Sequence, residues 1–291
     1  MSVLQLRERS ISRTAQTLSA LQFIAVLAGT LSFLFLPASA TPNPTGLGAL
    51  GETVVCLLAL GTGLWCAKAL LQGRITVVEL LYIDAAVLAT SCAALGLDDA
   101  YHLFKPLPML LAMTWTVHSW ARGQIPRGGA LCLLLAQAAS LTGDVFLMLP
   151  GHFLQGLLSF LAAHLAYLAL LRRNLTWLPN RRLALLVPLL VGGLVYAVLW
   201  QYGLPTGLRG PVGAYVVVIA LMAAQALGRA AVRQTAGARL VGIGAAFFMV
   251  SDSVLAINTF AIRLPLAALW VLSTYFLAQW LIVRGWLRSP D

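Results

Sequence analysis

The chain has 291 residues, 60% of them hydrophobic and only 10% charged, and its formal net charge is +10. Soluble domains carry about 25% charged residues, so this composition excludes an ordinary water-soluble globule. The charge does not point to nucleic acid either, because the Lys and Arg residues sit in short clusters between apolar runs.

Apolar runs of about 20 residues recur along the chain, without the apolar–polar alternation of a β-barrel. They predict an all-α, polytopic helical membrane protein with about ten transmembrane helices. The first run, Leu18 to Leu36, follows Arg7, Arg9 and Arg13 and ends at Pro37-Ala38-Ser39-Ala40. Two readings stay open for it, an uncleaved first helix and a secretory signal peptide; the run exceeds the roughly 7–15-residue core of a signal peptide, which favours the helix. Further helices are predicted over residues 50–71, 76–96, 105–121, 130–149, 153–171, 183–202, 211–228, 239–261 and 265–286. Loops are expected at Gly73-Arg74, Asp98-Asp99, Gly123 to Gly129, Pro150-Gly151, Arg172 to Arg182, Gly203 to Arg209, Arg229 to Arg239 and Arg263.

With the N-terminus in the cytoplasm, all but three of the 19 basic residues fall on the inner side, the exceptions being Lys105, Arg209 and Arg263. That asymmetry predicts cytoplasmic N- and C-termini and an even number of spans. Cys56, Cys66, Cys92 and Cys132 all lie inside apolar runs without a C-x-x-C pair. They support neither a zinc site nor a disulfide framework and read as small buried hydrophobes. One spacing separates Asp144 from Asp252 and also Tyr167 from Tyr275, which suggests a 4+4 duplication of helices three to ten behind two extra helices.

The stretch Ser140 to Pro150 is an apolar run with Asp144 inside it, and Phe247 to Leu255 repeats the pattern around Asp252. A carboxylate at the centre of a membrane helix costs about 2.5–3.5 kcal/mol, so such a residue marks a functional site by default. The structural alternative is a pair of hydrogen-bonded acids facing the bundle. At 1.5 Å rise per residue, Asp144 lies about 8 Å and Asp252 about 14 Å from the outer ends of their helices. His164 and Tyr167 share one helix face, as do Tyr275 and Gln279; each pair reads either as packing glue or as the lining of a polar cavity. Lys105 opens its helix at the outer surface, either snorkelling or meeting a phosphate. Glu79 and Asp84 are further acids on the third span, with Glu79 near the inner interface. His102, His118 and His152 are expected at solvated helix ends, and Trp120, Trp177, Trp200 and Trp286 in an interfacial aromatic belt.

Taken in order, Lys105-Pro106-Leu107-Pro108, Gly143-Asp144, His164-Leu165-Ala166-Tyr167, Ser251-Asp252 and Tyr275-Phe276-Leu277-Ala278-Gln279 resemble the YhhN-type lysoplasmalogenase family of multi-pass membrane proteins. The resemblance covers roughly residues 76–286. It implies an eight-helix membrane domain there, preceded by an N-terminal extension of two transmembrane helices over residues 1–75. It further implies cleavage of the vinyl ether of a 1-alkenyl lysophospholipid to a fatty aldehyde and glycerophosphoethanolamine or glycerophosphocholine. The family's acids map onto Asp144 and Asp252, the expected catalytic residues, and its lysine onto Lys105. Lys105, His164, Tyr167, Tyr275 and Gln279 are the expected substrate-binding set, the last four ordering water and the ether oxygen.

A vinyl ether hydrolyses by protonation at its β-carbon, addition of water to the resulting oxocarbenium ion, and collapse of the hemiacetal. Two carboxylates in unlike environments supply an acid and a base, as in glycoside hydrolysis. No metal and no cofactor are expected. The partners implied are the lysophospholipid, the bilayer and water, with no nucleic acid, and the location is a cell membrane, taken as a bacterial inner membrane. Two rivals are a proton-coupled small-molecule or lipid transporter, for which Pro188 and Gly192-Gly193 predict one interrupted span, and a non-catalytic lipid-binding or assembly protein.

Overall fold

The structure, a computed structural model, describes residues 49–175, 177 and 182–288. The expected first span, Leu18 to Leu36, and the cleavage-like stretch after it lie outside the described residues. Those residues form helices joined by short turns, with no strand among them. Seven of the helices are long and apolar enough to cross a membrane. The chain is a multi-pass helical membrane protein, and it divides into two compact units, Met1–Phe104 and Lys105–Asp291.

The first unit contains α1 (Ala49–Leu71), α2 (Val77–Ala94) and α3 (Asp98–Phe104). Glu79 is a helix cap rather than an acid of a membrane site. Its backbone N–H donates to the Thr76 hydroxyl at 3.3 Å, while its carboxylate accepts the Thr76 N–H at 2.8 Å. This reciprocal pair satisfies two of the donors that every helix start leaves open. The Asp98-Asp99 loop is instead the first turn of α3. Two acids at its start and His102 in its last turn both complement the helix dipole. Cys56, Cys66 and Cys92 are buried, as their apolar settings predict.

The second unit contains α4 (Leu107–Ala121), α5 (Arg127–Met148), α6 (Phe153–Leu171), α7 (Arg182–Gln201), α8 (Thr206–Arg233), α9 (Ala236–Phe260) and α10 (Ala267–Arg288). Consecutive helices form three close hairpins, α5–α6, α7–α8 and α9–α10. Helix α8 also packs on α6 and α9, and α4 packs on α5 and α10. Small residues set the closest approach. A Cβ placed on Gly285 of α10 would lie 2.6 Å from the Gly237 carbonyl oxygen and 2.9 Å from the Val241 nitrogen of α9. Helices that meet backbone to backbone in this way gain van der Waals contact that larger residues forbid.

Helix α7 runs unbroken through Pro188 and Gly192-Gly193, so the interruption expected there does not form. It turns Leu186, Val187, Leu190 and Leu194 outward, an apolar face suited to lipid. Trp120, Trp177 and Trp200 are exposed, but Trp286 is only 1% exposed, beneath the Arg229 guanidinium, which lies 5.0 Å from its ring centroid. Trp286 is therefore core rather than belt: close packing of α10 leaves its ring no route to the interface.

Candidate active site

Two polar clusters stand inside the second unit. The first joins α5, α6, α10 and the turn before α4. Tyr275 donates its phenol hydrogen to Asp144 Oδ2 at 2.6 Å, and the Lys105 ammonium stands 3.8 Å from Asp144 Oδ1. One helical turn along, Gln279 Nε2 donates to Ser140 Oγ at 3.1 Å, and Tyr167 of α6 donates to Gln279 Oε1. Ser140 and Asp144 are four apart on α5, as Tyr275 and Gln279 are on α10. Because side chains four apart stack on one helix face, the two pairs form rungs of a ladder between the helices. Ser140, Asp144, Tyr167, Tyr275 and Gln279 are all buried.

The second cluster joins α6, α8 and α9. Tyr215 donates to Asp252 Oδ2, and His164 Nε2 lies 2.8 Å from the Tyr215 oxygen and 3.2 Å from Asp252 Oδ2. Since the Tyr215 hydrogen goes to the carboxylate, its oxygen accepts from His164 Nε2–H. Nδ1 is buried without a hydrogen-bond partner. No contact with Asp252 Oδ1 is found among the described residues.

Aromatic rings join the clusters. The Tyr275 ring packs edge-on against Phe160 and Phe248, with centroids 5.8 and 5.5 Å apart, and Phe248 in turn packs against His164 at 4.7 Å. Edge-to-face rings at these separations attract beyond their burial alone. All the expected site residues thus share one region of the second unit, in two groups rather than one. The pairing is crossed: each acid, on the first helix of one hairpin, bonds a ring on the second helix of the other. A strict repeat would bring Asp252 to Tyr167, yet the structure uses His164, one turn away.

Beside Asp252 opens a cleft with walls from α5 to α9. Its lining is apolar apart from Asp252, Tyr215 and Ser253. The Ser253 hydroxyl is already spent on the Met249 carbonyl at 2.7 Å. The Asp252 side chain is 15% exposed and belongs to the wall, whereas that of Asp144 is 3% exposed and does not. Lys105, expected at the outer surface, is itself only 4% exposed.

The sequence profile of the YhhN family matches residues 100–286. The chain belongs to the YhhN family. It is similar to the human lysoplasmalogenase TMEM86B, 34% identical over 166 residues that span 57% of this chain and 68% of the relative. The rat lysoplasmalogenase TMEM86B is 33% identical over 193 residues, 64% of this chain and 72% of the relative. The human lysoplasmalogenase TMEM86A is 33% identical over 202 residues, 65% of this chain and 79% of the relative. No solved structure matches the chain.

Sequence reasoning misses two residues of these polar clusters. Tyr215 is hidden inside the apolar run of α8, and only its phenol, the lone polar side-chain group between Pro211 and Gln225, marks it. Ser140 is one turn before Asp144 on the same stripe, a signal that α-helical spacing carries.

Proposed function

We propose that this YhhN protein is a membrane ether hydrolase that cleaves the vinyl ether of 1-alkenyl lysophospholipids to a fatty aldehyde and the glycerophosphodiester, glycerophosphoethanolamine or glycerophosphocholine. One observation carries the reading: a carboxyl group with a free oxygen stands in the wall of an apolar cleft, held by a phenol and an imidazole. The names of its relatives support the same substrate class. The reading includes ten spans with both ends cytoplasmic, in a cell membrane, as the distribution of basic residues favours.

A single hydrocarbon chain suits the cleft, because its walls offer contact without polar groups to desolvate. The polar joint of the lipid then meets Asp252. In its acid form, Asp252 gives its proton to the β-carbon of R–CH=CH–O–R′, and the electron pair of the double bond forms the new C–H bond. Positive charge spreads over the α-carbon and the ether oxygen. Water adds at the α-carbon as its proton passes to the Asp252 carboxylate, and the hemiacetal breaks its C–O bond as its hydroxyl proton moves to the ether oxygen, leaving R–CH2–CHO and HO–R′. Tyr215 and His164 hold Oδ2 so that Oδ1 keeps one orientation, as positioned proton transfer requires.

The test is lipid turnover by the purified full-length protein in detergent. Aldehyde release from 1-alkenyl lysolipid, with none from 1-alkyl and no fatty acid from 1-acyl controls, is the expected result; turnover of the acyl species instead would overturn the reaction class. A carrier would need a sealed vesicle to show activity, and the unbroken α7 argues against that rival.

Two variants probe the cleft. Tyr215→Phe keeps the ring and removes the hydrogen bond to the carboxyl. A bond to a charged group is worth about 1.5–3 kcal/mol, so kcat should fall by roughly tenfold or more. Ala256→Phe places a ring in the cleft one turn from Asp252. Displacing two or three methylenes at about 0.8 kcal/mol each should raise KM for long-chain substrates while sparing short-chain ones, which a chain-length series measures.

A further inference from the structure

We infer that Asp252 alone handles the reacting proton, and that Asp144 never meets the substrate but acts as a positioning residue, the buried counter-charge of Lys105. The inference rests on the vinyl ether reading above. The two carboxylates spend their oxygens differently. Asp144 Oδ2 is taken by the Tyr275 phenol and Oδ1 faces the Lys105 ammonium. The side chain is buried and lies off the cleft wall. Asp252 concentrates its bonds on Oδ2, leaves Oδ1 free among the described residues, and stands in the wall. A general acid has to reach the atom it protonates, and of the two acids only Asp252 lines the cleft.

The chemistry has no need of a second carboxylate. When Asp252 protonates the β-carbon it becomes the anion. That anion then takes a proton from water as the water oxygen bonds to the α-carbon, which restores the acid form. One proton leaves and one returns, and the only co-reactant is water.

Asp144 has another task. An ammonium inside a helical bundle requires a counter-charge, and Lys105 is 4% exposed. Their pair anchors the Tyr275 phenol. The Tyr275 ring backs Phe160, a wall of the cleft, and Phe248, which packs on His164. Asp144 thus reaches Asp252 through rings, not through the substrate.

Removing one partner of a buried ion pair strands the other charge, while replacing both by neutral groups is often tolerated. Asp144→Asn and Lys105→Met are each expected to lower aldehyde release by at least about tenfold. The double variant Lys105→Met/Asp144→Asn is expected to recover to within about threefold of the wild type, a coupling that a double-mutant cycle reads directly. Melting temperature, followed in parallel, should recover with it. A double variant that regains its melting temperature yet stays as inactive as Asp144→Asn overturns the inference, because a lost catalytic group cannot be restored by removing its ion-pair partner. Wild-type protein that releases no aldehyde sinks the hydrolase reading itself, which is a separate outcome.

A second measurement needs no variant. N,N′-dicyclohexylcarbodiimide is an apolar carboxyl reagent that enters hydrocarbon sites. Peptide mass spectrometry of the treated wild-type protein should find the adduct on Asp252, formed in step with loss of activity and suppressed by 1-alkenyl lysolipid. An adduct on Asp144 that tracks the loss of activity overturns the assignment.

Discussion

Replacing Asp252 with asparagine is expected to lower aldehyde release by about 10²–10⁴-fold, the range that a positioned general acid contributes. The amide keeps the size of the carboxyl and an oxygen to accept from Tyr215, but it has no acidic proton to give to carbon. Protonating an alkene carbon is the demanding step, since the electron pair must leave the double bond before any new bond to oxygen exists. Water on its own is too weak an acid to replace the carboxyl at neutral pH. The fold should survive: Asp252 makes its contacts on Oδ2, which asparagine can reproduce with its own oxygen. Purified variant and wild type would be compared for aldehyde release and melting temperature. Activity within a few-fold of the wild type, at an unchanged melting temperature, would remove Asp252 from the chemistry and with it the proposed reaction.

The second large effect is expected on stability. Gly285→Ala should destabilise the protein by about 1–3 kcal/mol, the usual cost of overpacking. The new methyl would stand 2.6 Å from the Gly237 carbonyl oxygen and 2.9 Å from the Val241 nitrogen. Both are backbone atoms, so no rotamer change relieves the clash and α9 and α10 must separate. Helix propensity opposes this, favouring alanine over glycine by up to about 1 kcal/mol, but only where the methyl finds room. Gly193→Ala on α7 is the matched control, because a Cβ there meets nothing within 4 Å, and it should be neutral or stabilising. Separating α9 from α10 also pulls the helix of Asp252 away from that of Tyr275, so Gly285→Ala should lose activity along with stability. A melting temperature at or above that of the wild type would mean that the two helices meet less closely than described.

Composition and periodicity made the membrane class and most helix positions legible. Runs of apolar residues are long enough to span hydrocarbon, and a backbone in lipid has to satisfy its own hydrogen bonds. The helices from α5 to α10 accordingly fall close to their expected spans. The polar residues of the site were legible for a related reason: a carboxylate or an imidazole inside such a run is costly and stands out. Spacing also paired Tyr275 with Gln279 on one face correctly, because side-chain direction along a helix follows from its geometry.

Partnership was not legible. Glu79 looks like a membrane acid until Thr76 is seen to share a capping box with it, and Trp286 looks interfacial until Arg229 covers it. Tyr215 shows only a lone phenol among its apolar neighbours, and it joins His164 and Asp252 only because α8 packs between α6 and α9. The separation of Asp144 from the cleft is of the same kind. Two aspartates in similar runs are equivalent along the chain. Which one faces open space and which faces a lysine depends on how helices far apart in sequence are turned about their own axes. Helix rotation is set by small contacts such as Gly285 on Gly237, whose partners are distant along the chain, so only the folded bundle decides it.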